Sequence, residues 1–291
     1  MPGLISPVDC LHLTIEIGGM PIRVNTTDAD FLGMLQNRYA GFVGSSGRAA
    51  VEFDVDLFTP GFVDPHADVR VTQRAGKWAL ERGDFRAEWE PARRTGRIRQ
   101  SANPYSIDAV LRIVHTLVLA QEGGFLMHAA SAIRKGKAFL FAGVSGAGKT
   151  TISRLAPPDA TLLTDEISYV REYVPQDVWK AVLPCAREDV QKQDASYVAY
   201  GTPFTGELAK LGENVSAPIS ALYFLAQGPE NRIDSVAPGE AVRELLANVL
   251  FFAEDQELVQ RAFHAACEFV SRVPVSRLTF VPDARVWEMI G

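Results

Sequence analysis

Between residues 11 and 99 the chain alternates apolar and polar positions with a period of two. Val51, Phe53, Val55 and Leu57 are separated by acidic residues, the pattern of a strand with one buried face. The alternation predicts short strands at 12–17, 22–24, 50–57, 69–73, 78–82 and 85–90, with Gly76 and Gly83 at hairpin bends. One helix is predicted over 31–39, capped by Thr27 or Asp28. Asn103-Pro104 ends this stretch, and the period then changes. Ile107, Val110, Leu111, Val114, Leu117 and Val118 recur at helical spacing behind a Ser106 cap, a stripe that reads as core packing. Beyond it the pattern predicts a hairpin of 131–134 and 137–142 about Lys135-Gly136, and a short helix after Thr150 stopped by Pro157-Pro158. Strands follow at 161–164, 167–171, 181–183, 221–225 and 276–281, and helices at 241–252, 255–273 and 284–290. The chain thus divides into a β-rich N-terminal domain, 1–104, suited to substrate docking or plain packing, and a second domain, 105–291.

The apolar strand Phe139-Leu140-Phe141-Ala142 runs into Gly143-Val144-Ser145-Gly146-Ala147-Gly148-Lys149-Thr150-Thr151. This meets the phosphate-loop pattern G-x-x-x-x-G-K-[ST], with a strand before it and a helix after it. Glycines at 143, 146 and 148 let the backbone curl with its N–H groups inward, and Ser145, Ala147 and Thr151 contribute further amides. Lys149 supplies a mobile charge for the β- and γ-phosphates, and the Thr150 hydroxyl is placed for Mg²⁺. The loop predicts binding of a nucleoside triphosphate. No N-K-x-D segment reads guanine, and the eukaryotic-type kinase motifs are missing, which makes ATP the default.

Three further features have both a chemical and a plain reading. Thr164-Asp165-Glu166 ends a strand shortly after the loop. The two carboxylates serve a metal and a γ-phosphate together only if the chain bends there, since neighbours on a strand point to opposite faces; the plain reading is an exposed turn. His128 lies among Phe125, Leu126, Met127 and Ala129, a setting for a satisfied core histidine as much as for a catalytic one. Gly201-Thr202-Pro203-Phe204-Thr205-Gly206-Glu207 reads either as an ordinary turn or as a loop closing over substrate or metal, with Gly201, Thr202 and Glu207 as its candidates.

The ordered set Met127-His128-Ala129, the loop 143–151 and Leu163-Thr164-Asp165-Glu166 resembles the kinase domain of HPr kinase/phosphorylase. It is still more similar to the HPr-kinase-related proteins of bacterial clusters for modified peptides, in which a Gly-Thr-Pro-Phe segment also follows. The loop and acid pair also resemble those of ATP-dependent phosphoenolpyruvate carboxykinase. The resemblance spans about residues 122–290. It implies an α/β P-loop kinase domain with a mixed sheet over 105–291, and a serine kinase mechanism. Asp165 matches the expected general base, Glu166 the acid that would hold Mg²⁺ with Thr150, and His128 a histidine near the transferred phosphoryl group, orienting Asp165 or stabilising charge. Asp165 is counted with Thr150 and Glu166 as a metal candidate. The second acid is Glu where HPr kinase has Asp, and the HPr kinase signature beyond residue 170 is missing, which points away from HPr and toward a peptide or small protein as substrate. The alternatives are transfer to a small metabolite, ATP hydrolysis, and a nucleotide-gated binding module without chemistry.

Composition adds limits. The chain has 291 residues, 47% of them hydrophobic, and a net charge of -6, with a pI near 5.5. Neither nucleic acid nor an anionic membrane surface is an expected partner. The basic run at 93–99 reads as solvated strand surface or as a docking patch for an acidic peptide. Cys10, Cys185 and Cys267 are too scattered for a disulfide framework or a metal site. With no leader-like start and no long apolar stretch, a cytoplasmic protein is expected, and the analogy with HPr kinase adds a homo-oligomer.

Overall fold

A computed structural model of the chain describes residues 10–44, 47–59, 67–173, 197–206, 208, 212–252 and 255–290. Its contacts separate two compact units, Met1–Leu111 and Arg112–Gly291. The division falls inside a helix, α2, over Pro104–Gln121.

The first unit is one seven-stranded sheet in the order β1-β2-β3-β7-β6-β5-β4. Its strands are β1 Leu11–Ile17, β2 Met20–Thr26, β3 Val51–Leu57, β4 Arg70–Arg74, β5 Lys77–Arg82, β6 Phe85–Glu90 and β7 Thr95–Gln100. On β3 the alternation buries Val51, Phe53 and Val55 and exposes Asp54 and Asp56. Helix α1, Ala29–Arg38, is capped by Asp28, whose Oδ1 accepts the Phe31 amide at 2.8 Å. The basic run lies on and beside β7, where Arg97 pairs with Asp56 at 3.1 Å and Arg93 with Glu90 at 3.1 Å. At the start of α2 the cap is Asn103, not Ser106. Asn103 Oδ1 accepts the Tyr105 and Ser106 amides at 2.8 and 3.0 Å, leaving the Ser106 hydroxyl to donate to Asp84 at 2.6 Å. Proline suits the first helical position because that N–H has no partner within the helix.

The second unit corrects the expected fold class. An α/β P-loop kinase domain of the HPr kinase and carboxykinase type, with a mixed sheet, is not what forms: strand dominates, and five strands close into a barrel. These strands are β8 Phe125–Arg134, β9 Lys137–Ala142, β11 Ile167–Glu172, β12 Tyr197–Tyr200 and β13 Ser216–Gln227. The ring runs β8-β11-β12-β13-β9 and back to β8. The physical reason is in the connections. A layered α/β sheet needs a helical crossover between parallel neighbours. Here β8 and β9 form a hairpin, its two central residues Lys135 and Gly136 at φ 50° and 75°, a turn that matches strand twist. All ring pairs except β13 with β9 are antiparallel. Two long strands make closure work, because each changes partners along its length. The first half of β8 pairs β11 and its second half pairs β10, Ala160–Thr164. The start of β13 pairs β12, and the remainder pairs β9 on one side and β15, Val275–Phe280, on the other. Edge strand β14, Arg232–Ser235, pairs β15.

Helix α3, Lys149–Arg154, follows β9, while α4, Pro238–Asn248, and α5, Gln256–Arg272, precede β15. Leu140 and Ala142 of β9 pack in one cluster with Leu245 of α4 and Phe269 of α5. Phe139 and Phe141 pack in another with Ile152, Phe280 and Trp287. With both faces covered, β9 reads as an unbroken apolar run. The helix expected over 241–252 ends at Asn248: Val249 bridges Met127 and the Leu250 amide donates to Leu126 O at 2.8 Å, so the chain lies along β8 instead of coiling further. The expected helix at 284–290 is a 3₁₀ turn, Ala284–Glu288. The expected strand at 181–183 lies outside the described residues. No helix among the described residues is long and apolar enough to cross a membrane.

Candidate functional site

One cleft of about 640 Å³ in the second unit collects most of the residues singled out in the sequence. The glycine-rich loop forms one wall, from Gly143 through Gly146, and from Gly148 to Thr151. His128 of β8, the pair Asp165 and Glu166, and Gly206, Ala247 and Asn248 complete the lining. Ala147 does not line the cleft, since its methyl group is buried in the core cluster of Phe141 and Phe280.

The loop is held from within and from the sheet. Gly148 adopts φ 112°, and a Cβ there would lie 2.6 Å from Phe280 Cζ, so both backbone angle and space demand glycine. The Ala147 amide donates to Val144 O at 3.0 Å, and Gln227 at the end of β13 donates from Nε2 to Gly146 O at 2.7 Å. Lys149 Nζ donates to Gly143 O at 2.8 Å and Val144 O at 3.4 Å.

The acid pair sits on a bend. Thr164 Oγ1 accepts the amides of both Glu166 and Ile167 at 3.2 Å, a hydroxyl turn that breaks β10 from β11. The bend answers the geometric condition set by the strand's alternation, and consecutive residues reach one cleft. The two carboxylates differ in setting. Asp165 is 3% exposed; its Oδ1 accepts the Gly206 amide and its Oδ2 the Leu208 amide, each at 2.9 Å. Glu166 is half-buried and lines the same cleft.

The Gly-Thr-Pro-Phe segment is therefore tied to the acid pair. Gly201 N donates to Val215 O at 2.9 Å and Thr202 N to Leu163 O at 3.1 Å. The Thr202 hydroxyl is committed to Ile167 O at 2.8 Å. Neither residue lines the cleft; Gly206 does. Glu207 lies outside the described residues.

His128 pairs with Ile167 across the β8–β11 ladder, next to the acids. Its ring is open to the cleft, yet the walls strip part of its hydration, and Arg112 and Lys149 repel a second positive charge. Together, burial first, these push its pKa below 6.5. The imidazole is neutral at pH 7, able to accept at one nitrogen and donate at the other.

The cleft brings together a glycine-rich loop with a flexible ammonium, a hydroxyl, two carboxylates and a neutral imidazole. Thr150, Glu166 and Asp165 share the cleft; among the described residues no group of three or more His, Cys, Asp or Glu side chains is placed to hold a metal ion by itself, so a cation there would depend on oxygens of a bound molecule. Asn248 was not legible as a site residue, because it sat inside a helix pattern that ran on to Phe252.

Fold and cleft first define a class: a barrel-based unit that carries a phosphate-loop signature facing paired acids. The family follows from comparison with known families. The model described as ScmC, SynChlorMet cassette protein ScmC, matches residues 99–291. That is more than half of the chain, and the chain belongs to this family. No curated protein matches it. The family's description names a cassette, not a reaction, and the cleft itself has to carry the chemical argument.

Proposed function

We propose that the chain is an ATP- and Mg²⁺-dependent kinase that transfers the γ-phosphoryl group to a serine or threonine hydroxyl of a peptide or small protein. The supporting observation is that one cleft is lined by the glycine-rich loop, Ala147 excepted, by the acids Asp165 and Glu166, and by a neutral His128. Phosphoryl transfer asks little covalent work of a protein beyond positioning and charge.

In this reading the loop amides and Lys149 hold the phosphates. The lysine stem is flexible enough to exchange its carbonyl partners for phosphate oxygens. Thr150 and Glu166, with Asp165, would hold Mg²⁺, which supplies neutralising charge at the β- and γ-oxygens. The acceptor hydroxyl attacks the γ-phosphorus, the bond to the β-phosphate bridging oxygen breaks, and the proton passes to Asp165. A carboxylate has about four lone-pair sites, so the two amide bonds leave Asp165 able to accept that proton. His128 orients the acceptor or the carboxylate.

The test is incubation with γ-labelled ATP, Mg²⁺ and candidate peptides or small proteins. Label on a hydroxyl that vanishes with Asp165→Asn supports the reading, and bound ATP that is never transferred counts against it. That second result would favour a nucleotide-gated binding module, for which one observation speaks: Asp165 holds the Gly206 and Leu208 amides, so new charge in the cleft would act on that loop without chemistry.

A further inference from the structure

The glycine-rich loop is braced unevenly. Gly143 and Gly148 are set against the sheet by packing: a Cβ on Gly143 would lie 2.8 Å from Ala147 Cβ and 3.4 Å from Leu225 O, and one on Gly148 would lie 2.6 Å from Phe280 Cζ. Ala147 is buried with Leu225 and Phe280 in one cluster. The tip between Gly143 and Ala147 lacks such support. Residues 144–146 are exposed, and a Cβ on Gly146 would meet nothing within 4 Å. Gly146 nevertheless holds φ 81°, one of several conformations open to a glycine. A side chain ties it to the sheet: Gln227 Nε2 donates to Gly146 O at 2.7 Å. A carbonyl oxygen accepts only from a donor, so this bond also fixes which way the Gln227 amide group points.

The anchor itself is firm. Gln227 is the last residue of β13 and pairs with Phe280 in the ladder to β15, so the strand ends that hold its backbone also carry the ring packed against Gly148. The Gly146–Ala147 peptide is planar. Holding its oxygen from the sheet sets the direction of that plane, while the Ala147 N–H closes a turn on Val144 O at 3.0 Å within the loop. With the bond in place, the entropy of ordering a glycine-rich tip is lost on folding; without it, the same loss falls on ligand binding. Val144, Ser145 and Gly146, which line the cleft, are the residues whose arrangement the bond controls.

We propose that Gln227 is a positioning residue of this cleft: from the end of β13 it holds the Gly146 peptide, so that the loop tip is ordered before the phosphates of a nucleotide arrive. The inference rests on the nucleotide-binding part of the kinase reading above. Gln227 does not line the cleft and acts through Gly146. It is exposed and belongs to neither core cluster of its unit, so its loss weakens nucleotide binding without weakening the fold.

The test uses Gln227→Met, which keeps the length and removes the donor, and Gln227→Lys, which keeps a donor of similar reach. A fluorescent ATP analogue with Mg²⁺ is titrated into wild type and both variants at low and high salt, beside thermal unfolding of the nucleotide-free proteins. Loss of one neutral hydrogen bond predicts roughly three- to tenfold weaker binding in Gln227→Met, with an unchanged unfolding midpoint and faster hydrogen exchange on a peptide over 143–149. Gln227→Lys should recover the affinity and keep it, relative to wild type, at high salt, where a rescue by charge alone is screened. Binding by Gln227→Met within about twofold of wild type overturns the role of Gln227 and leaves nucleotide binding standing. A rescue confined to low salt, or a midpoint that falls together with the affinity, overturns that role as well. A wild type that binds no nucleotide overturns both the role and the reading beneath it.

Discussion

Replacing Asp165 by Asn changes one oxygen into an amide nitrogen and removes the charge, while volume stays the same. Asp165 Oδ1 and Oδ2 each accept a backbone amide at 2.9 Å, from Gly206 and Leu208, and the residue is 3% exposed. A hydrogen bond to a charged acceptor is worth about 1.5–3 kcal/mol. Asparagine keeps one acceptor, now neutral, and turns a donor toward the other amide. The expected loss is about 2–4 kcal/mol, borne by the segment around Gly206 more than by the fold as a whole. At about 1.4 kcal/mol per decade, the Gly206 and Leu208 amides should exchange with solvent roughly 30 to 1000 times faster in Asp165→Asn. Hydrogen exchange read by mass spectrometry on a peptide spanning 201–208 measures this directly. Equal exchange in the two proteins would refute the reasoning, because it would mean that the carboxylate does not hold the loop. The same variant is expected to keep nucleotide binding and lose transfer, which separates the anchoring role from the chemical one.

Gly148→Ala places a Cβ 2.6 Å from Phe280 Cζ at φ 112°; a loss of about 1–3 kcal/mol is expected, read as a lower midpoint in thermal unfolding. His115 is fully buried, both ring nitrogens lack hydrogen-bond partners among the described residues, and burial followed by Arg171 pushes its pKa down to about 3. Its folded value lies below the unfolded one, so stability is intact above pH 6.5 and is lost as pH falls toward 3, at up to about 1.4 kcal/mol per pH unit. His115→Leu should match or exceed wild-type stability at pH 7 and lose that acid slope, as denaturant titrations at several pH values will show. His128 is likewise held neutral, so the acid limb of any transfer rate that needs the free imidazole should fall below pH 6.5. Removing the Arg112 charge with Arg112→Gln should move the His128 titration upward, a shift readable by NMR.

Local structure was largely legible, because it follows from spacing. The period of two at Val51, Phe53 and Val55 locates β3 to within a residue, and the Lys135-Gly136 turn locates β9 and the end of β8, while β8 begins at Phe125, six residues before the expected start. What decided the fold class is long-range. Nothing in the run Ser216–Gln227 says that one strand will pair β12 at its start and both β9 and β15 further along, and that exchange of partners closes the barrel. The cap of α2 shows the same limit on a small scale. Ser106 and Asn103 are both good caps by type, and the serine was taken by Asp84, 22 residues back in the chain. At the cleft, the motif residues announce their chemistry by type and order. The link from Asp165 to the Gly206 amide spans 41 residues, and it could not be read from spacing, since it depends on where the barrel brings separate strands.

The central claim is that the glycine-rich loop of this cleft holds a magnesium nucleotide. Titration of a fluorescent ATP analogue with Mg²⁺ into wild type and Lys149→Ala tests it most directly, with circular dichroism confirming that both are folded. The account predicts saturable binding to wild type, competed by ATP and lost in the variant. Equal binding to both proteins, or none to wild type, would contradict it.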